Sequence, residues 1–532
     1  AYWWFHPAIN IQSIDLWGFL IVILALVTFV LFVFRQIYQT GMGKREKSPK
    51  KVKLFSGLMA IPIAIAVIGA VGWLASQSFF PGNAEKYSTV LVTEDADFAT
   101  DIPEVNYSEI PFIDKDSAIL LGNRTMGTMA DYVSQFEISD LYSQINYKGQ
   151  PVRVSPLNYA DFFKWWANKD GGIPAYVIVN MSTQDTEIVR LENPIRYSDS
   201  DPFFYNVDRH VQLSYPFYMF DEKSFEINDD GEPFWIYPVQ KRTIGLFGGT
   251  TIQRVVLCNA STGECQDFAI EDVPQWVDRA YPAELLIEQY NWSGALSGGW
   301  INSWLGQNGV KQTTPSTDGK SGFNYIAQDD DVWVYSGVTS ATADNSIIGC
   351  VMINQRTAES KFYSVAGATE ESAMRSAEGQ VQHLQYDATF PLLINVDGQP
   401  TYFMALKDAA GLVKMYAMVD IQRYQNVAVG DTLAATEKSY KQLLVSQGVN
   451  VGGSDASAHP SAGSTSGTIA SISPVVLDGN SHYYLILDGQ QAIFDCPVAS
   501  VVDVVRYKVG DVIVLNHGSS EGNVVLVDSI GE

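Results

Sequence analysis

The residues best suited to chemistry in this chain are its six histidines and four cysteines. Hydrolysis needs a nucleophile with a base, or two carboxylates in one cleft. No histidine lies in a G-x-S-x-G or H-E-x-x-H context. His210, however, follows Asp208 and Arg209 in an aromatic stretch, so His210 and Asp208 are the candidate catalytic residues. The alternative is a structural histidine held by hydrogen bonds.

Cys258 and Cys265 flank the sequence N-A-S-T-G-E, which favours a turn, so these side chains are expected to face each other across a hairpin. If the domain is exported, one interpretation is that the two cysteines form a disulfide. The alternative is two reduced, half-buried thiols. Cys350 and Cys496 lie in apolar runs and are interpreted as packing residues. The spacing of the four cysteines matches neither a disulfide framework nor a zinc site.

Two acidic strings carry oxygen ligands of the kind that Ca2+ prefers. They are Asp329, Asp330 and Asp331, and the pair Asp199 and Asp201. Neither string has the loop spacing of a calcium site, so a solvated turn is the alternative in both cases. We expect no cofactor.

The composition excludes nucleic acid as a partner of the main body. The chain has 59 acidic and 34 basic residues and a formal charge of -25, whereas nucleic-acid binding depends on clustered Lys and Arg that neutralise phosphates. Hydrophobic residues make up 46% of the sequence, so the bulk of the chain is expected to be globular.

Two apolar runs near the N-terminus have the length of membrane helices. Leu16–Phe34 carries no charge and meets the roughly 20 residues that a helix needs to cross the hydrocarbon core. Leu54–Ser76 has small residues at near-four spacing, so we expect it to pack on the first helix or on a neighbouring protomer. Pro62 is expected to kink this second helix at most.

The loop between the two runs, residues 39–53, is strongly basic, which predicts a cytoplasmic position. The N-terminus and everything after about Gln77 then lie outside the plasma membrane, and anionic lipid headgroups are expected partners of the loop. The residues that determine this topology are Lys44, Arg45, Lys47, Lys50, Lys51 and Lys53.

The rest of the chain predicts an α+β protein built from repeated modules of a helix and an antiparallel sheet. A Gly/Ser-rich stretch, typical of a flexible linker, precedes about five short alternating strands, which predict a small β-barrel. The predicted domains are the transmembrane hairpin 1–79, a stalk 80–113, modules 114–196, 197–322 and 323–446, a linker 447–466 and the barrel 467–532.

Two short patterns recur in the modules. Gly-x-Pro occurs at Gly149, Gly231 and Gly398, and N-x-x-T begins at Asn180, Asn259 and, as N-Q-R-T, at residue 354. Gly permits a turn conformation denied to other residues, and Pro marks an edge or a strand start. Asn and Thr can hydrogen-bond back to their own turn. The recurrence is therefore explained by hairpins and needs no active site.

This order of helix, G-x-P strand and N-x-x-T-G-E strand resembles the small PepSY-type extracytoplasmic module. The nearest matches are N-D-D-G-E-P-F-W at 228–235 with N-A-S-T-G-E at 259–264, and D-G-Q-P-T-Y at 397–402, while Gln184 and Ala358 replace the final Gly in two copies. The resemblance implies a helix on a curved sheet, with a role in binding or inhibition and no catalytic residues. As a whole the chain resembles uncharacterised membrane-anchored proteins of Gram-positive bacteria, and its C-terminal strands resemble OB-fold-like barrels.

The first hypothesis is a non-enzymatic, membrane-anchored scaffold used for binding or assembly at the cell surface, with self-association or another envelope protein as partner. The second is a cell-envelope hydrolase, or an accessory subunit of one, with its cleft near His210. Carboxylates clustered around His210 would favour the enzyme, and an ion pair between Asp208 and Arg209 that anchors a loop would favour the scaffold. The same ion-pair interpretation applies to a second Val-Asp-Arg triplet at residues 277–279.

Overall fold

The computed structural model describes residues 2–40, 48–104, 110–315, 322–328, 330–340, 346–446, 463–477, 480–490, 492–498, 501–517 and 524–531. Lys44, Arg45, Lys47, Asp329 and residues 447–462 of the expected linker lie outside these ranges. The chain forms two compact units. The first comprises Ala1–Ala96, Ala118–Asp344 and Ile348–Tyr363, and the second comprises Asp97–Ser117, Asn345–Ile347 and Ser364–Glu532.

The N-terminal region is helical, and two of its segments, Ile14–Thr40 and Pro49–Ala75, are long and apolar enough to cross a membrane. The helices are α1 (Tyr2–Phe5), α2 (Ile14–Thr40), α3 (Pro49–Leu58) and α4 (Ala60–Ala75). The second segment is interrupted at Met59. Pro62 lacks the N–H that would bond the carbonyl of Leu58, but Met59 keeps helical φ and ψ and still donates to the Phe55 carbonyl at 3.0 Å, so the interruption is local.

The two apolar segments pack against each other, as the small residues predict. A Cβ on Gly69 of α4 would lie 2.8 Å from the ring of Trp17 in α2, so only glycine allows this approach. At the opposite end, Arg35 donates to Ser56 at 3.0 Å. Most side chains of these helices are exposed within the chain, which leaves an apolar surface for lipid or another protein.

The next part of the chain forms short helices and the first sheet. In chain order its elements are α5 (Asn83–Ser88), strand β1 (Thr93–Ala96), α6 (Phe98–Asp101), α7 (Lys115–Met126) and α8 (Ala130–Val133). The sheet has the order β2-β4-β5-β6, and β3 pairs with β4. Its members are β2 (Phe136–Ile138), β3 (Ser143–Tyr147), β4 (Gln150–Tyr159), β5 (Ile173–Asn180) and β6 (Thr186–Ile195), with α9 (Phe162–Asn168) between β4 and β5.

The second sheet is a four-stranded antiparallel meander of order β10-β9-β8-β7. It comprises β7 (Ser224–Ile227), β8 (Pro233–Ile244), β9 (Gly248–Asn259) and β10 (Cys265–Ala269), preceded by α10 (Val207–Ser214) and followed by α11 (Ala283–Leu296). Helix α11 buries Leu286 and Tyr290 against a core that includes Ile236, Val255 and Leu257 of the sheet. Residues 235–239 of β8 and 255–258 of β9 are continuous buried runs, so both faces of the sheet are covered at this level.

The third sheet recruits part of the expected stalk. Its strands are β11 (Lys311–Thr313), β12 (Asn324–Gln328), β13 (Asp331–Ser340), β15 (Gly349–Asn354) and β16 (Ser360–Tyr363), together with β1. Strand β14 (Ser346–Ile347) pairs instead with β17 (Gly367–Ala368). Strand β1 runs parallel to β16, so residues 93–96 complete a sheet and do not extend away from it.

The range 323–446, expected to be one module, contains a further sheet of its own. The fourth sheet has the order β18-β20-β21-β22, with β19 paired to β20. Its elements are α12 (Glu370–Gln380), β18 (Asp387–Ala388), β19 (Leu392–Val396), β20 (Gln399–Lys407), β21 (Val413–Asp420), β22 (Val427–Gly430) and α13 (Leu433–Ser446). The sequence did not indicate this division, because the third sheet carries only the N-x-x-T pattern and the fourth sheet carries only the Gly-x-Pro pattern.

The three N-x-x-T segments form the same turn. In each, the Asn side chain accepts the N–H groups two and three residues later, as Asn259 does from Ser261 at 3.0 Å and Thr262 at 2.9 Å. The residue after Thr has positive φ in all three copies: 68° at Gln184, 76° at Gly263 and 59° at Ala358. The hydrogen bonds of the turn therefore impose a left-handed residue even where glycine is absent.

The predicted C-terminal barrel is present and closed. Its five strands follow one another around the barrel in the order β23-β24-β25-β27-β26, and its core includes Leu485, Phe494 and Leu515. This arrangement is consistent with the OB-fold-like expectation. The strands are β23 (Gly463–Leu477), β24 (Asn480–Leu487), β25 (Ile493–Pro497), β26 (Val512–His517) and β27 (Val524–Gly531).

Candidate functional site

The candidate site begins with His210, the fourth residue of α10. The Asn206 side chain caps this helix by accepting the Arg209 N–H at 3.1 Å. The Nε2 atom of His210 lies 2.8 Å from the carbonyl oxygen of Gly263, in the turn between β9 and β10. A carbonyl only accepts, so Nε2 carries the proton in this contact. Helix α10 is thereby tied to the N-A-S-T-G-E turn.

Cys258 and Cys265 stand directly opposite each other on β9 and β10, as the hairpin prediction requires. The adjoining Asn259 donates its N–H to the carbonyl of Glu264 at 2.9 Å. Bonding in an antiparallel ladder alternates, so the cysteines form a non-hydrogen-bonded pair, where facing side chains come closest. Both are free thiols here; Cys258 is buried and Cys265 is half-buried. Disulfide formation between them stays a prediction.

The structure brings His210 to this cysteine pair, a convergence that the sequence did not reveal. One ring nitrogen and the two sulfur atoms all lie within 4.8 Å of one another. Across the described ranges, this is the group of three His, Cys, Asp or Glu side chains with the spacing of a metal site. We call His210, Cys258 and Cys265 the thiol–imidazole cluster.

The contacts within the cluster shift the pKa values of its two thiols in opposite directions. A hydrogen bond from Cys258, assisted by His210, lowers the pKa of Cys265 to about 6 although burial opposes the change. The same hydrogen bond, together with burial, raises the pKa of Cys258. The hydrogen bond to Cys265 and that to the Gly263 carbonyl raise the pKa of His210. The contacts with Cys258 and His210 therefore favour the thiolate form of Cys265 over that of Cys258.

Tyr197 closes one side of the cluster. Its ring centroid lies 4.3 Å from that of His210 and 5.3 Å from that of Tyr205. Gly263 is required beneath it, because a Cβ at this position would overlap the Tyr197 ring. The positive φ of Gly263 and the Tyr197 ring thus hold the turn carbonyl toward His210.

Asp208 faces other partners than the cluster. Its carboxylate accepts two hydrogen bonds from Lys223, at 2.8 and 2.9 Å, and one from the Tyr237 hydroxyl at 2.7 Å. Lys223 also pairs with Asp199 at 2.8 Å. Burial raises the pKa of Asp199, with the nearby Asp208 charge adding to it and Lys223 opposing it. This is a closed ion network that joins α10 to the second sheet.

Arg209 does not pair with Asp208 in this network. Its guanidinium donates to the carbonyl of Trp3 at 3.0 Å and to that of Phe203, and it stacks 4.0 Å from the Trp3 ring. In the second triplet, Asp278 accepts the Asn146 N–H at 2.7 Å. Both triplets therefore anchor loops, but through different partners from the Asp–Arg ion pair expected within each.

Asp331 and Asp201, from the two acidic strings, are bonded to protein groups. Asp331 binds Arg356 through two hydrogen bonds of 2.7 and 2.8 Å and accepts a third from Asn354 at 2.7 Å. Asp330 is exposed in a turn with φ of 65°. Asp201 accepts the Trp165 indole N–H at 2.7 Å. These contacts account for Asp331 and Asp201 without an ion.

Comparisons with known proteins give no family for the chain. No protein-family model matches it, and no curated protein matches it significantly. A Synechocystis apocarotenoid oxygenase variant shares 10% identity over 56% of this chain and 61% of its own, at a TM-score of 0.16. The C-terminal domain of Bacillus megaterium YpeB shares 7% identity over 49% of this chain and 99% of its own, at a TM-score of 0.11. Likenesses this weak carry no argument about fold or function.

Proposed function

We propose that the chain is a two-pass, membrane-anchored extracytoplasmic protein that serves binding or assembly at the cell surface through self-association or another envelope protein. The observation that carries this proposal is the seating of the β8–β9 hairpin on the ends of the two apolar helical segments. It makes the membrane-spanning part and the second sheet one packed structure, which suits a presented platform better than a tethered domain.

The seating involves the tip of the hairpin, residues 245–247. The Phe247 N–H donates to the Ser76 hydroxyl at 3.0 Å, and the Phe247 ring lies 6.1 Å from that of Trp17 in α2. A Cβ on Gly72 of α4 would overlap Leu246. Glycine in α4 and two apolar residues in the tip therefore create a close contact at the end of the helix pair.

Exposed aromatic side chains surround the same end of the helices. Phe79 follows α4, and its ring lies 6.0 Å from that of Trp300, which stacks on Trp304. Trp304 is 68% exposed. Phe204, 79% exposed, contacts Trp3 of the segment that precedes α2. Trp and Tyr rings concentrate where a bilayer meets water, so these exposed rings support a position of the body at the membrane surface.

The basic residues support an outward orientation of that body. Lys50, Lys51 and Lys53 lie at the start of α3, at the end of the helix pair opposite the contact of Trp17 with Gly69. Short loops rich in Lys and Arg stay in the cytoplasm. The hairpin tip, the modules and the barrel are then outside.

Two measurements test the anchoring and its direction. Protease added to intact cells should cut within residues 447–462 of the expected linker, and protection of this segment until the cells are lysed contradicts the outward orientation. In vesicles of brominated lipid, Trp304→Phe should reduce the quenchable tryptophan fluorescence, whereas Trp333→Phe, which changes a buried residue, should not. Equal effects of the two variants contradict the surface position of Trp304.

A second candidate function is a cell-envelope hydrolase, or an accessory subunit of one, that works near His210. The observation that favours it is the lowered pKa of Cys265 beside His210, because the thiolate is the nucleophilic form of cysteine. An iodoacetamide probe should then label Cys265 rapidly at neutral pH, and His210→Ala should slow the labelling. Labelling no faster than that of a free thiol removes the support for this candidate.

A further inference from the structure

The thiol–imidazole cluster joins three groups that share one chemical preference. Thiolate sulfur and imidazole nitrogen are the ligands selected by Zn2+ and Cu+, whereas carboxylates and carbonyls suit Ca2+ and Mg2+. Two sulfurs bound to one tetrahedral Zn2+ lie about 3.8 Å apart, given Zn–S bonds of about 2.3 Å. The mutual distances in the cluster, all within 4.8 Å, need only small side-chain movements to reach that geometry.

The surroundings of His210 fit a metal ligand. A histidine that binds a metal through one ring nitrogen nearly always donates its other N–H to a carbonyl or carboxylate, which fixes the ring. His210 makes this kind of bond to the Gly263 carbonyl, and Tyr197 packs on the ring. When Nε2 is the donor, Nδ1 holds the lone pair for coordination.

The cysteines sit on a rigid support. Both belong to the second sheet, where Cys258 faces Cys265 in register and neighbours the buried Leu257. Sites built on strands hold their geometry better than sites on loops. A disulfide would use the two thiols and leave His210 without a role, and a thiol nucleophile would leave Cys258 without one. A metal uses all three groups.

We propose that His210, Cys258 and Cys265 bind a thiophilic d10 cation, Zn2+ or Cu+, as three protein ligands. The proposal goes beyond membrane anchoring and does not depend on it. A tetrahedral Zn2+ takes its fourth ligand from water or from a bound molecule, as in sites that keep an open position.

The test uses the full chain, extracted in detergent and reduced, with Co2+ as the spectroscopic probe. One equivalent of Co2+ should produce the ultraviolet thiolate-to-cobalt charge-transfer band and strong visible bands of four-coordinate cobalt. Displacement of Co2+ by one equivalent of Zn2+ identifies Zn2+ as the ion that the site binds. Displacement only by Cu+, supplied from a competing chelator, identifies copper. Absence of a charge-transfer band in the reduced protein overturns the proposal.

Variants separate the metal site from its alternatives. Cys258→Ala and Cys265→Ala should abolish the band, and His210→Ala should weaken Co2+ binding at least tenfold. His210→Gln should weaken it equally, although the amide can still donate to Gly263, which guards against a folding defect. Cys496→Ala, a buried thiol in the barrel, is the control and should leave binding unchanged. Unchanged affinity in both His210 variants, or a band that survives loss of the cysteines, overturns the site.

Discussion

Substitution of Gly263 by alanine tests the coupling between the turn and the cluster. Gly263 has φ of 76°, and a Cβ there would overlap the Tyr197 ring. Gly149 in the β3–β4 turn has nearly the same φ, 77°, but has open space where a Cβ would lie. The pair of variants Gly263→Ala and Gly149→Ala therefore separates backbone strain from steric overlap.

The two costs have different sizes. Placing alanine at positive φ costs about 1–2 kcal/mol, and both variants incur it. Overlap in a packed site adds about 1–3 kcal/mol. Tyr197 cannot move freely, because its ring packs on both His210 and Tyr205. Gly263→Ala should then destabilise its hairpin by about 1–3 kcal/mol more than Gly149→Ala destabilises its own.

Hydrogen exchange followed by mass spectrometry measures each hairpin separately, which suits a chain of several domains that need not unfold as one. A difference of about 1.4 kcal/mol corresponds to a factor of ten in exchange rate. Relative to the wild type, the rate increase in the β9–β10 peptides of Gly263→Ala should therefore be about 5- to 150-fold larger than the increase in the β3–β4 peptides of Gly149→Ala. Equal gains would refute the reasoning, because they would mean that Tyr197 swings aside at little cost.

Two further predictions concern buried charges. Arg356→Met should accelerate exchange in β13 and β15 by an amount equivalent to about 3 kcal/mol, because it leaves the buried Asp331 carboxylate without its cation; addition of Asp331→Asn should restore part of the loss, and simple additivity contradicts the pairing. Burial, reinforced by the charge of Glu226, raises the pKa of Asp278 well above its usual value, so this group's stabilisation is complete below about pH 4 and is lost as the pH rises toward the folded-state pKa. Asp278→Asn should therefore gain stability relative to the wild type as the pH rises from about 4, by up to about 1.4 kcal/mol per unit, and a pH-independent difference in thermal unfolding contradicts this.

Local patterns in the sequence predicted much of the fold. The two apolar segments, the cysteine hairpin and the five barrel strands all appear in the described structure. Each depends on residues near one another in the chain, where hydrophobic period, caps and turn chemistry act directly.

Contacts between distant segments were not predictable in the same way. His210 and Cys258 lie far apart in the sequence, and no motif links them. The repeated turn at Asn259 indicated only that the Gly263 carbonyl and the two thiols lie at the same end of one hairpin. The partners of Asp208 were missed because Lys223 directly precedes β7 and Tyr237 lies in β8, so neither belongs to α10. Residues 93–96 were expected to lie in a stalk. Their parallel partner β16 comes much later in the chain, and a pairing between such distant segments leaves no local pattern in the sequence.

The proposal that the protein is anchored in the membrane and serves binding or assembly is tested most directly by the mass of the detergent-extracted protein. Light scattering with the detergent contribution subtracted should give a defined multiple of the 58.7 kDa chain, since the exposed faces of α2 and α4 and the aromatic surface offer contacts to further copies. A second envelope protein held at fixed stoichiometry in the extract would also agree with the claim. A single mass of 58.7 kDa at every concentration, with no bound partner, would contradict it.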